Sequence, residues 1–135
     1  MEVKKLVVAD TDFLSHYLKG DLLTKKYVEE MLSRDYLFTT TSITTSELLF
    51  GAYKKGWKRI KINELKKFLS MIGVISFNYT HSKIYGKLRA DLNKNGIEIG
   101  YADTAIASIC LGENLQLFTY NKKHFNEIDN LQLFS

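Results

Sequence analysis

Leu6-Val7-Val8-Ala9-Asp10-Thr11-Asp12-Phe13-Leu14 decides the fold of this chain. Its four leading apolar residues read as a short buried strand that ends at Asp10. A helix over residues 12–18 follows. A second, over 21–33, sets Leu23, Tyr27, Val28, Met31 and Leu32 along one stripe. Tyr36 to Thr41 is β-branched and aromatic, a second strand. Residues 43–53 and 60–71 read as helices, and Val74-Ile75-Ser76-Phe77 as a third strand. A helix over 80–93 meets its stop signal at Asn95-Gly96. Residues 101–111 are apolar nearly all round, which marks a helix buried on most faces. Residues 115–119 and 131–134 complete five strands. Short apolar strands alternating with helices imply a parallel sheet covered on both faces. Such sheets bind ligands beyond the carboxyl ends of their strands.

The 135 residues contain no proline, repeat or linker, so 1–135 is expected to form one domain. An apolar share of 45% with 25% charged residues excludes a disordered or collagen-like chain. Lys4 and Lys5 precede only four apolar residues, too short a run for a signal peptide. No stretch nears the roughly 20 apolar residues of a membrane helix. These features predict a cytoplasmic protein with no membrane partner. Cys110, the single cysteine, can form no internal disulfide. A net charge of +4 favours an anionic partner. Seven of the 19 basic residues lie within 54–67: Lys54, Lys55, Lys58, Arg59, Lys61, Lys66 and Lys67. Such a cluster either holds phosphates through counterion release or forms a solvated helix face.

Acidic side chains belong on polar faces, yet three stand inside apolar segments. Asp10 closes the first strand, Glu47 sits in Ser46-Glu47-Leu48-Leu49-Phe50, and Asp103 heads the most apolar helix. A fourth polar residue, Asn121, follows Leu117-Phe118-Thr119-Tyr120. Each has a local account. Asp10 or Asp12 can cap the helix beginning near Phe13. Thr44-Thr45-Ser46-Glu47 fits a capping box. Asp103 can cap its helix, favoured by the dipole. Together, however, they fall at one edge of the expected sheet. Two carboxylates about 5 Å apart repel by roughly 3 kcal/mol at an effective dielectric of 20. Either one is protonated or a divalent cation lies among them. His16, His81 and His124 lack metal-ligand spacing, and His124-Phe125 is expected to order a turn. All-oxygen ligation then suits Mg²⁺ or Mn²⁺ rather than zinc. An acidic centre with a basic rim is what hydrolysis of a nucleic-acid backbone requires.

Four segments resemble PIN domains in order and approximate spacing, and among those the VapC-type toxins of toxin–antitoxin pairs. They are Val8-Ala9-Asp10-Thr11-Asp12-Phe13-Leu14, Thr45-Ser46-Glu47-Leu48, Tyr101-Ala102-Asp103-Thr104-Ala105-Ile106-Ala107-Ser108 and Leu117-Phe118-Thr119-Tyr120-Asn121-Lys122-Lys123-His124-Phe125. Residues 85–100, with Leu88-Arg89 and Asn95-Gly96-Ile97-Glu98-Ile99-Gly100, extend the likeness. The resemblance implies a three-layer α/β/α fold around a parallel sheet of about five strands, and a Mg²⁺- or Mn²⁺-dependent endoribonuclease. Asp10, Glu47 and Asp103 match the family's metal-site positions. Thr11 and Thr119 match supporting positions, and Asn121 a fourth position where Asp or Asn occurs. The usual Asp-Thr-Asn reads Asp10-Thr11-Asp12 here, and the extra carboxylate of Asp12 either supports the site or, as the favoured reading, caps the helix. Lys54, Lys55, Lys58, Arg59 and Lys61 become the candidate RNA contacts. A homodimer and an antitoxin whose tail occludes the site are also implied.

Asp10-Thr11-Asp12 after a strand also resembles the haloacid-dehalogenase phosphatases. The Gly and Thr that usually follow are absent, and no later lysine motif precedes an acidic pair. Gly51-Ala52-Tyr53-Lys54-Lys55-Gly56 has the glycine spacing of a phosphate loop, but Trp57 stands where that loop needs lysine. A PIN nuclease of RNA processing would carry the same motifs, and a silent binding module would not need the acidic trio. The Tyr and Phe residues are spaced mostly as core, and none stands out as a stacking platform for bases.

Overall fold

The computed structural model describes residues 5–135; Lys4 lies outside them. In chain order the elements are β1 (Lys5–Ala9), α1 (Thr11–Leu18), α2 (Leu22–Ser33), β2 (Tyr36–Thr41), α3 (Ser42–Lys54), α4 (Arg59–Ile72), β3 (Val74–Ile75), α5 (Tyr79–Lys94), α6 (Tyr101–Glu113), β4 (Gln116–Phe118) and the single turn α7 (Lys122–Phe125). The sheet is parallel with strand order β3-β2-β1-β4. β1 therefore sits between two partners, with Val7 opposite Phe38 on one side and Gln116 on the other.

Alternation along β1 builds a core on each face. Val8 points into a cluster with Ile106, Ala107, Cys110, Leu117 and Phe125, under α5 and α6. Val7 and Ala9 point the other way, onto Phe13, Leu14, Val28 and Met31 of α1 and α2. Three layers result. α6 is buried continuously from Thr104 to Cys110, as its apolar character requires. A third cluster, around Ala52, Ile62, Leu65 and Leu69, seats α4 on α3. Among the described residues no helix is long and apolar enough to cross a membrane.

The expected fifth strand is reduced to one parallel bridge, Leu117 with Leu133. Leu117 donates to the Gln132 carbonyl and accepts from the Phe134 amide, both at 2.9 Å. β4 is three residues long, so its outer edge offers little more than that pair. β3 is shorter than expected for a similar reason. The Phe77 amide turns away from the sheet and donates to Ser42 Oγ at 3.0 Å.

Two helical glycines separate close packing from free space. A Cβ on Gly112 of α6 would stand 2.8 Å from Cδ2 of buried His81 and 3.1 Å from Cδ1 of Ile84. A Cβ on Gly86 of α5 would meet nothing within 4 Å. Gly112→Ala should therefore destabilise the fold by about 1–3 kcal/mol. Gly86→Ala should stabilise it by up to about 1 kcal/mol through helix propensity. Urea unfolding of the two variants checks the opposite signs.

Candidate active site

β1 ends by delivering Asp10 into α1. The Asp10 backbone is extended, and its Oδ1 accepts from the Phe13 amide at 2.9 Å, so Asp10 is the N-cap of α1. Its Oδ2 accepts from the Thr119 hydroxyl at 2.5 Å, and that hydroxyl accepts from the Asn121 amide at 3.0 Å. Asp10 thus serves as cap and as site residue together. With 4% of its surface exposed, its carboxyl is pushed up to about 6 from the usual 3.8. Burial is the main cause. Hydrogen bonds from Thr119 and Phe13 oppose it, and the charges of Asp103 and Asp12 add to it.

The other expected residues converge on Asp10. α3 begins at its N-cap Thr41, whose hydroxyl accepts from the Thr44 amide, which puts Glu47 inside the helix. The expected capping box around Glu47 is therefore not formed. Glu47 instead accepts from the Thr11 hydroxyl, which also lies 3.1 Å from Thr44 Oγ1. α6 starts from Gly100 without a side-chain cap, and Asp103 stands in its first turn. Loss of solvation holds the Asp103 carboxyl above its usual range; His124 counteracts this, while Glu47 and Asp12 reinforce it. Asp12 does not cap α1, because Asp10 occupies that position. It lies exposed in the first turn, facing the same cleft, with His16 Nδ1 at 3.6 Å. Asn121 ends the loop after β4 and lines the cleft beside Asp103.

The cleft encloses about 910 Å³, and its walls carry Asp10, Thr11, Asp12, Glu47, Asp103 and Asn121. Lys19, Lys55, Trp57 and Lys61 line it as well. Of the five basic residues expected to touch RNA, only Lys55 and Lys61 reach the cleft. One residue is 100° of helix, so Lys54 points elsewhere, with its ammonium 5.8 Å from the Phe50 ring centre. Lys58 and Arg59 are exposed at the start of α4, outside the cleft wall. Lys19, at the C-cap of α1, escaped the sequence reading because no motif marks it.

The turn α7 carries His124 back to the acidic group, with Nε2 3.5 Å from Asp103 Oδ2. Neither residue's spacing announces the other; the only trace is the place of His124 three residues after Asn121. Among the described residues, no three His, Cys, Asp or Glu side chains stand close enough to grip one metal ion as placed. The donor chemistry nevertheless suits a hard divalent cation. Several carboxylates face one cleft, and the buried one is disfavoured as an anion. Glu47, turned towards Thr11, and Asp103, towards His124, would have to swing inward.

Comparison with known proteins places the sequence and the fold. A family model of the PIN domain matches residues 7–131. Ribonuclease VapC2 of Rickettsia felis is 36% identical over 104 residues, 77% of this chain and 78% of that protein. The structure of VapBC2 from Rickettsia felis, bound to a DNA fragment from its promoter, superposes with a TM-score of 0.85. There the identity is 30% over 96% of this chain and 97% of the other. VapBC-1 from nontypeable Haemophilus influenzae gives a TM-score of 0.84 at 27% identity, covering 96% and 97%.

The raised Asp10 carboxyl sets a pH dependence. The folded state holds that proton more tightly than the unfolded chain, so the contribution to stability is complete below about pH 4. It is lost as pH rises through about 6, by up to ~3 kcal/mol. Asp10→Asn keeps a capping oxygen and removes the titration. In EDTA, the stability of the variant relative to the parent should rise between pH 4 and 7.5. A difference independent of pH would show that Asp10 ionises normally.

Proposed function

This chain belongs to the PIN-domain family, with the VapC ribonucleases among its relatives, and on that premise we propose that it is a metal-dependent endoribonuclease, the toxin of a VapBC-type toxin–antitoxin pair. The observation that carries this reading is the convergence of Asp10, Glu47 and Asp103 on one cleft at the carboxyl ends of a parallel sheet, with ionisation of Asp10 opposed by burial. Its substrate is RNA, and its partners are a cognate antitoxin and a second copy of the chain. The solved VapBC2 and VapBC-1 structures that the fold matches support the antitoxin.

Asp10, Glu47 and Asp103 would hold Mg²⁺ or Mn²⁺, and the Asn121 amide would orient groups around it. When bound, such an ion supplies positive charge for the phosphodiester and makes water a better nucleophile at neutral pH. The chain supplies the rest. Thr119 fixes the Asp10 carboxylate, and Thr11 steadies Glu47. Asp10 must give up its proton to ligate, so acid weakens the site. Lys55 and Lys61 hold flanking phosphates on the cleft wall.

Purified protein should cut a mixed RNA pool in Mg²⁺ or Mn²⁺ and not in EDTA. Asp103→Asn should bring cutting to background, with a circular-dichroism spectrum like the parent's and equal or higher metal-free stability. Full cleavage by that folded variant would remove Asp103 from the mechanism.

A further inference from the structure

Trp57 is the one tryptophan of the chain, and it stands in the turn between α3 and α4. Its indole packs against the cluster of Ala52, Ile62, Leu65 and Leu69, which fixes the ring. Lys61 Nζ lies over the ring, 3.9 Å from its centre. Both residues line the cleft that holds the acidic residues. Phe50 and Tyr53 also carry lysines, Lys54 at 5.8 Å and Lys66 at 6.0 Å, but both aromatics stand outside the cleft wall. Tyr120 is also an aromatic of the cleft wall, but its hydroxyl pairs with Thr24 and its ring packs on Phe13 and His16. Trp57 instead combines a place in the wall with an overlying ammonium.

α3 joins this aromatic corner to the acidic end. Glu47, Gly51 and Lys55 follow one another at intervals of four, and all three line the cleft. The stripe runs from a carboxylate, across bare backbone, to an ammonium. Open space surrounds the Gly51 Cα, since a Cβ there would meet nothing within 4 Å. Eight residues of helix cover about 12 Å, more than one nucleotide's step along a strand. A nucleic-acid strand lying along α3 with its scissile phosphate at Glu47 passes Gly51 and brings a nucleotide two or more steps away to Lys55 and Trp57.

We infer that Trp57, Lys55 and Lys61 form a subsite for one unpaired nucleotide of the substrate, displaced from the scissile phosphate; this rests on the nuclease reading above. The indole presents a π-face on which a base stacks, and Lys55 takes the phosphate beside it. Lys61 holds the ring face through cation–π attraction until the base arrives, then moves to the same phosphate. A base within a duplex has both faces covered by its neighbours, so the subsite selects single-stranded segments or loops.

Trp57 emission reports its own contact. In EDTA, so that no cutting intervenes, a ten-nucleotide single-stranded RNA should quench that emission as it binds. The same strand annealed to its complement should leave it unchanged. Anisotropy of a labelled strand measures binding independently. Trp57→Leu keeps an apolar side chain against Leu65 and should weaken single-strand binding about tenfold, while Trp57→Phe should retain most of it. Circular dichroism confirms that both variants fold. Unchanged emission from a strand that anisotropy shows to be bound would overturn the subsite and leave the nuclease reading standing. So would full single-strand affinity in Trp57→Leu. Absence of both RNA binding and metal-dependent cleavage would overturn the nuclease reading and the subsite with it.

Discussion

A carboxylate kept out of water at the end of β1 governs the rest of this molecule. Asp10 caps α1 through Phe13, accepts from Thr119 beyond β4, and continues the ladder by donating its own amide to the Phe118 carbonyl at 3.3 Å. Next to it, the Thr40 hydroxyl of β2 donates to the Ala9 carbonyl at 2.8 Å. Three strands and a helix are thus tied to one short segment. The same bonds that hold Asp10 in place favour its charge, while burial and the carboxylates of Asp103 and Asp12 disfavour it. Burial prevails, and the Asp10 carboxyl keeps its proton to a higher pH than an exposed one does.

Charge is divided along the cleft in a way that follows from helix geometry. α3 contributes Glu47 from its middle and Lys55 from its C-cap two turns later, with Gly51 between them. α1 contributes Asp12 from its first turn and Lys19 from its C-cap. Each helix therefore gives the cleft an acid and, at its C-cap, a base. Such an arrangement accommodates a cation at the acidic end and a polyanion across the whole, which neither sign of charge alone achieves.

Much of this was legible in the sequence. The alternation of Leu6–Ala9 with the helix that follows, and the continuous apolar character of residues 101–111, fixed a parallel sheet with covered faces. The place of Asp10 followed, because strand ends in such a sheet share one edge; Glu47 and Asp103 reach that edge from within α3 and from the first turn of α6. Local hydrogen-bond choices were harder to read. By sequence Thr44 fits a capping box, yet α3 starts directly where β2 ends, so Thr41 is its cap. Asp12 loses the cap of α1 to Asp10 for the same reason. His124 meets Asp103 through tertiary folding, with no local pattern to announce it. The fifth strand fails because its partner β4 is short, a property of the pairing rather than of residues 131–134. The basic cluster looked uniform in sequence, yet helix phase sends Lys55 into the cleft and Lys54 away from it.

The central claim is that the carboxylates around Asp10 are a cation site, and thermal unfolding with added Mn²⁺ tests it most directly. Binding to the folded state alone raises Tm as metal concentration rises. The account predicts such a rise in the parent protein, at near-neutral pH after EDTA treatment, and its loss in Asp103→Asn. A parent Tm that does not respond to Mn²⁺, or an equal response in the variant, would contradict it.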